Sequence, residues 1–77
     1  MFIFSQDRKW LVNMDDLTGI AVNTDYHCLE AVTKKNGVII LAGSEGSDTF
    51  RNNCLSELIA NYMKNKKIYV IPTIKED

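Results

Sequence analysis

Histidine, proline and tryptophan each occur once in this 77-residue chain, and cysteine only twice. Each scarcity removes a class of chemistry. A structural zinc site takes about four ligands, whereas His27, Cys28 and Cys54 fall one short and lack ligand-like spacing. Two cysteines are too few for a disulfide framework, so both are read as reduced thiols. Long apolar runs are missing as well. The opening apolar stretch stops at Asp7 and Arg8, with no small-residue cleavage site after it. Nothing approaches the ~18 apolar residues of a membrane span. A cytoplasmic protein without a membrane partner is the expectation. Nor does one sign of charge prevail: nine basic and ten acidic residues leave a net charge of −1. Without a basic block to neutralise phosphates, nucleic acid is not an expected partner.

What is present is an ordinary globular composition, 45% hydrophobic and 25% charged, fitting a single domain over residues 1–77. The first twenty-two residues hold three short apolar runs, Phe2–Phe4, Trp10–Val12 and Leu17–Val22, separated by polar breaks. Such runs, rich in β-branched and aromatic residues, predict strands joined by tight turns. Met1–Ser5 and Lys9–Asn13 form a first hairpin, and Leu17–Asn23 a third strand, with Gly19 marking a bulge or a close backbone approach. Tyr26–Thr33 gives a fourth strand. Asn36-Gly37 before Val38–Leu41 carries the signature of a type I′ hairpin, because both central positions need positive φ.

Beyond Gly43-Ser44-Glu45-Gly46, Ser47 or Asp48 is a suitable N-cap. Phe50, Cys54, Leu58 and Tyr62 recur every four residues with Leu55, Ile59 and Met63 beside them. This is the stripe of an amphipathic helix, with Tyr62 assigned to the core. Asp48 at its start and Lys64, Lys66 and Lys67 at its end suit the helix dipole. Ile68–Ile71 is a last strand, ended by Pro72. The predicted fold is α+β: an antiparallel sheet of about five to six strands, order β-β-β-β-β-α-β, with the helix on one face. Val38–Ala42, Ile20–Val22 and Ile68–Ile71 are apolar at every position. One helix covers one face, so the other must be covered by the sheet curling on itself or by a second chain. A homodimer is the expectation.

No catalytic set stands out. His27 and Cys28 are neighbours on a strand and point to opposite faces, while Cys54 lies on the buried helix stripe, where a thiol acts as a small hydrophobe. Asp15 and Asp16 read as a solvated turn, since Ca²⁺ wants about six to eight oxygens. The chain is therefore expected to be no enzyme and to need no cofactor or metal. Trp10 and Tyr26, near strand ends, are the candidate interaction residues. The alternative is a small-ligand or nucleotide site at Gly43, Ser44, Gly46 and Ser47, a glycine-rich loop leading into a helix N-terminus. Against it, the loop lacks a P-loop ending and Glu45 repels an anion.

Ser5-Gln6-Asp7-Arg8, Leu11-Val12-Asn13 and Asp16-Leu17 make the opening similar to that of small uncharacterised proteins of Gram-positive bacteria and their phages. The close resembles theirs too, in Val70-Ile71-Pro72 and the acidic Lys75-Glu76-Asp77, with Leu41–Gly43 and Asp48–Lys64 matching their inner strand and helix. The chain departs at Gly46-Ser47-Asp48-Thr49-Phe50, where those proteins carry a more acidic run. The resemblance implies a phage- or prophage-related setting. It implies no reaction and transfers no functional residues. Together these readings predict a non-enzymatic interaction module, which presents a sheet face or edge to another protein.

Overall fold

The computed structural model describes residues 1–35 and 37–74. The chain is α+β with one helix. Its elements are β1 (Phe2–Phe4), β2 (Leu11–Asn13), a 3₁₀ turn (Met14–Asp16), β3 (Leu17–Asn23), β4 (Cys28–Thr33), β5 (Gly37–Ala42), α1 (Asp48–Met63) and β6 (Ile68–Val70). The element order is the expected one, with the 3₁₀ turn added.

The single sheet of five to six strands is not found. Two three-stranded sheets form instead, ordered β2-β1-β6 and β3-β4-β5. The break falls at the 3₁₀ turn, where the Asn13 side chain accepts from the Asp15 N–H at 3.0 Å and bends the chain out of the first sheet. β2 therefore pairs only with β1, and β3 starts a new sheet. Running back along α1, the chain reaches the open side of β1, where β6 pairs parallel, Ile3 opposite Tyr69. The other pairings are antiparallel.

The split covers one side of each sheet. Inner residues of both sheets enter one core: Ile3, Val12 and Tyr69 from the first, Leu29, Ala31 and Ile39 from the second. Cys54 and Leu58 of α1, which packs against β3 and β4, complete it. Each fully buried aliphatic side chain there contributes about 1.5–3 kcal/mol. Among the described residues, none covers the outer face of either sheet.

Turn chemistry sets the details. Gly37 has positive φ (+71°), as its place in the hairpin demands. The pairing differs from a two-residue type I′ turn: Thr33 lies opposite Gly37, leaving residues 34–36 between them. Asn36 lies outside the described residues, as does the acidic close Lys75-Glu76-Asp77. The pairing of β3 with β4 shifts between Leu17 and Gly19, so Gly19 marks a bulge, and open space surrounds its Cβ position. Ser47 is the N-cap of α1, its Oγ accepting from the Phe50 N–H at 3.1 Å. Lys64 is the C-cap, followed by Asn65 at φ +58°, so the lysines lie just beyond the last turn. Tyr62 is not core but 51% exposed. The buried stripe is Arg51, Cys54 and Leu58.

Candidate functional site

Arg51 explains the shift of the stripe. Its side chain is only 2% exposed, which a cation tolerates only when its donors are paired. Its Nη1 donates to the carbonyls of Gly43 (3.3 Å), Glu45 (3.1 Å) and Gly46 (3.3 Å). Its Nη2 and Nε donate to Asp48 Oδ1 at 2.7 and 3.2 Å. The loop Gly43-Ser44-Glu45-Gly46 thus wraps its carbonyls around a guanidinium. The helix N-terminus is engaged as well, because Ser47 Oγ takes the Phe50 N–H and the Ser47 carbonyl takes the Arg51 N–H. Ile74 packs onto Gly46. An adjoining cleft of about 410 Å³ is bordered by Asp7 and Glu45, both repulsive to phosphate. In this geometry the glycine-rich segment is the socket of Arg51.

His27 and Cys28 part company. His27 sits in a turn at φ +51° with its imidazole Nδ1 3.3 Å from Asp48 Oδ1 at the surface. Cys28 is buried, as is Cys54. Burial pushes both thiols up from their ordinary value, with nearby Glu30 adding to the effect at Cys28 and Glu57 at Cys54. A protonated buried thiol is a poor nucleophile. Burial, and after it the hydrogen bond that the hydroxyl donates to Glu57 Oε2 at 2.8 Å, raises the Tyr69 phenol above the usual tyrosine range. Among the described residues, no three of His, Cys, Asp or Glu converge as metal ligands.

Trp10 and Tyr26 are both exposed, at 45% and 78%, yet the structure does not bring them together. Trp10 walls a cleft of about 200 Å³ with Val12, Ile39 and Lys34 near the β4–β5 turn. Tyr26 occupies the β3–β4 turn at the other end of β4. A further apolar surface lies on the outer face of the first sheet. The register places Leu11, Phe4 and Val70 in one row across the three strands and Asn13, Phe2 and Ile68 in the next. Leu11 is 58% exposed, and Phe2, Ile68 and Val70 are between 42 and 48%. No strand residue of this face is charged. Arg8 borders it, its guanidinium 5.3 Å from the Phe4 ring centroid and bonded to the carbonyls of Ser5 and Ile71. The second sheet's outer face is apolar too, with Val32, Val38 and Ile40 exposed, but Glu30 stands on its central strand beside Ala21 and Ile40.

A groove of about 280 Å³ separates β3 from α1. Leu17 and Ile20 form its strand side, and Leu55, Leu58 and Ile59 its helix side. Sequence reading missed both this groove and the continuous face of the first sheet, because each depends on pairings that join distant segments. The Arg51 socket had a local signal, an aspartate three residues before an arginine at a helix start. Among the described residues, no helix is long and apolar enough to cross a membrane. No protein family, curated protein or solved structure matches the chain.

Proposed function

We propose that the protein is a non-enzymatic interaction module that pairs with a second copy of itself through the outer face of the first sheet. The observation that supports this is the run of exposed, uncharged Phe2, Leu11, Ile68 and Val70 across three adjacent strands, with half-buried Phe4 among them. Contiguous apolar patches of this kind are seldom left to water in soluble chains. A two-fold interface sets a surface against itself, and here no strand residue brings like charges together. The second sheet's face lacks that property, since Glu30 lies near its middle. The first-sheet face is small beside the roughly 800 Å² per partner of a standard interface, so the dimer should form in the micromolar range or weaker.

Dimerisation leaves the second sheet and its edge strand β3 free for another protein. The likeness of Ser5–Asn13 to small proteins of Gram-positive bacteria and their phages suggests a phage-related setting, in which that partner would be a host protein. The test is dilution followed by amide NMR. Resonances of Phe2, Leu11, Ile68 and Val70 should shift with concentration while those of Val38 and Ile40 stay fixed. Invariance of the first-sheet resonances up to millimolar protein would exclude the interface.

A further inference from the structure

We infer that the edge of β3, with the groove between it and α1, is a strand-addition site for an extended, uncharged partner segment flanked by basic residues. The inference rests on the interaction-module reading and names a second surface of that module. β3 is a seven-residue edge strand, Leu-Thr-Gly-Ile-Ala-Val-Asn, without a charge or a proline. Among the described residues no strand pairs with its outer side. Edge strands ordinarily carry charges, prolines or a cover that stop another chain from pairing. β3 has neither a charge nor a proline; its one protective device is the bulge at Gly19, near its start, which leaves Ile20–Asn23 regular, and among the described residues it is the longest strand.

The groove supplies what main-chain pairing lacks. A strand added to β3 points alternate side chains to the inner side, where Leu55 and Ile59 of α1 form the wall and Ile20 the near rim. Main-chain hydrogen bonds would give affinity, and this groove would select β-branched or aliphatic residues at alternate positions.

Charge selects the occupant. Asp15 and Asp16 precede β3 and Asp25 follows it, all exposed, and none is in an ion pair among the described residues. Lys34 Nζ reaches the Asp15 carbonyl, not its carboxylate. Carboxylates thus frame an uncharged strand at both ends. A second copy is the poorer fit: antiparallel self-pairing centred on Ile20 brings the acidic turn before β3 of one chain towards the acidic turn after β3 of the other, twice. A segment with lysine or arginine at each end meets complementary charge there.

The experiment titrates the labelled protein with two synthetic peptides of alternating valine and threonine, one ending in lysines and one in glutamates. The lysine peptide should shift the amides of Leu17–Asn23 and of α1 around Leu55 and Ile59, and bind at least tenfold more tightly than the glutamate peptide. Replacing Asp15, Asp16 and Asp25 by asparagine should bring the two affinities within about twofold. Ile59→Gln, at an exposed helix position, should weaken both peptides. Equal affinities for the native protein, shifts outside β3 and α1, or no saturable shift at millimolar peptide would overturn the inference. So would concentration-dependent shifts of β3 without peptide, which would assign the edge to a second copy. Resonances of Phe2, Leu11, Ile68 and Val70, followed in the same spectra, report separately on the first-sheet dimer.

Discussion

Arg51 and Asp48, three residues apart at the start of α1, meet at 2.7 Å with the arginine buried and the aspartate at the surface. The pair ties the helix to the loop before it, because the same guanidinium holds the carbonyls of Gly43, Glu45 and Gly46. Arg51→Ala removes every one of these donors. A loss of about 2–4 kcal/mol is expected, measured as a lower urea midpoint at unchanged slope. A loss below about 0.5 kcal/mol would show the socket to be incidental.

The same pair carries a pH dependence. The Arg51 guanidinium, followed by His27, holds the Asp48 carboxyl below its ordinary value of 3.8. A carboxyl lowered in the folded state adds stability that is present above its unfolded value and lost as pH falls through the folded one. Asp7 behaves alike, lowered by the Ser5 hydroxyl at 2.6 Å and the Lys9 N–H. Urea midpoints should therefore fall as pH drops below about 4, and less steeply in Asp48→Asn. Parallel profiles for the native protein and the variant would refute the assignment.

Two positions on one predicted stripe should respond unequally. Leu58 is 1% exposed and Tyr62 is half exposed. Leu58→Ala should cost about 2–4 kcal/mol through lost burial and a cavity. Tyr62→Ala should cost under about 1 kcal/mol. Similar losses would place Tyr62 back in the core.

Glycine substitutions separate conformation from contact. Gly37 and Gly46 both have positive φ, +71° and +80°. A Cβ at Gly37 meets open space, whereas one at Gly46 comes within 2.6 Å of Ile74 Cδ1. Gly37→Ala should lose about 1 kcal/mol, the conformational part alone. Gly46→Ala should lose more, and equal thermal shifts would mean that the Ile74 contact does not matter.

Cys28 and Cys54 should resist iodoacetamide in the folded state and react once urea unfolds the chain. Mass spectrometry reads this directly. Rapid alkylation of either thiol under native conditions would contradict its burial.

The strands and the helix are legible because each is announced within a few residues: short apolar runs between polar turns in the first twenty-two residues, a serine cap at Ser47, positive-φ glycine at Gly37. The division into two sheets is not. It depends on Asn13 bending the chain into a 3₁₀ turn and on β6 returning to β1, and neither is a local property. Counting apolar strand residues correctly required cover for a second face, but only the pairing showed that each sheet covers the other's inner side. The buried stripe of the helix begins at Arg51 instead of Phe50 and stops before Tyr62, because an arginine counts as polar in any periodicity even when loop carbonyls surround it. Trp10 and Tyr26, the candidate interaction residues, are both exposed. Their separation along β4, and the assembly of Phe2, Leu11, Ile68 and Val70 from three segments, could come only from register.

Sedimentation equilibrium of the native protein beside Leu11→Lys and Val70→Lys tests the central claim most directly. Both positions are exposed, so the variants should keep the native circular dichroism and melting temperature. The account predicts a concentration-dependent monomer–dimer equilibrium for the native chain and monomers for both variants. A native chain that stays monomeric at every concentration, or variants that dimerise as well as the native chain, would contradict it.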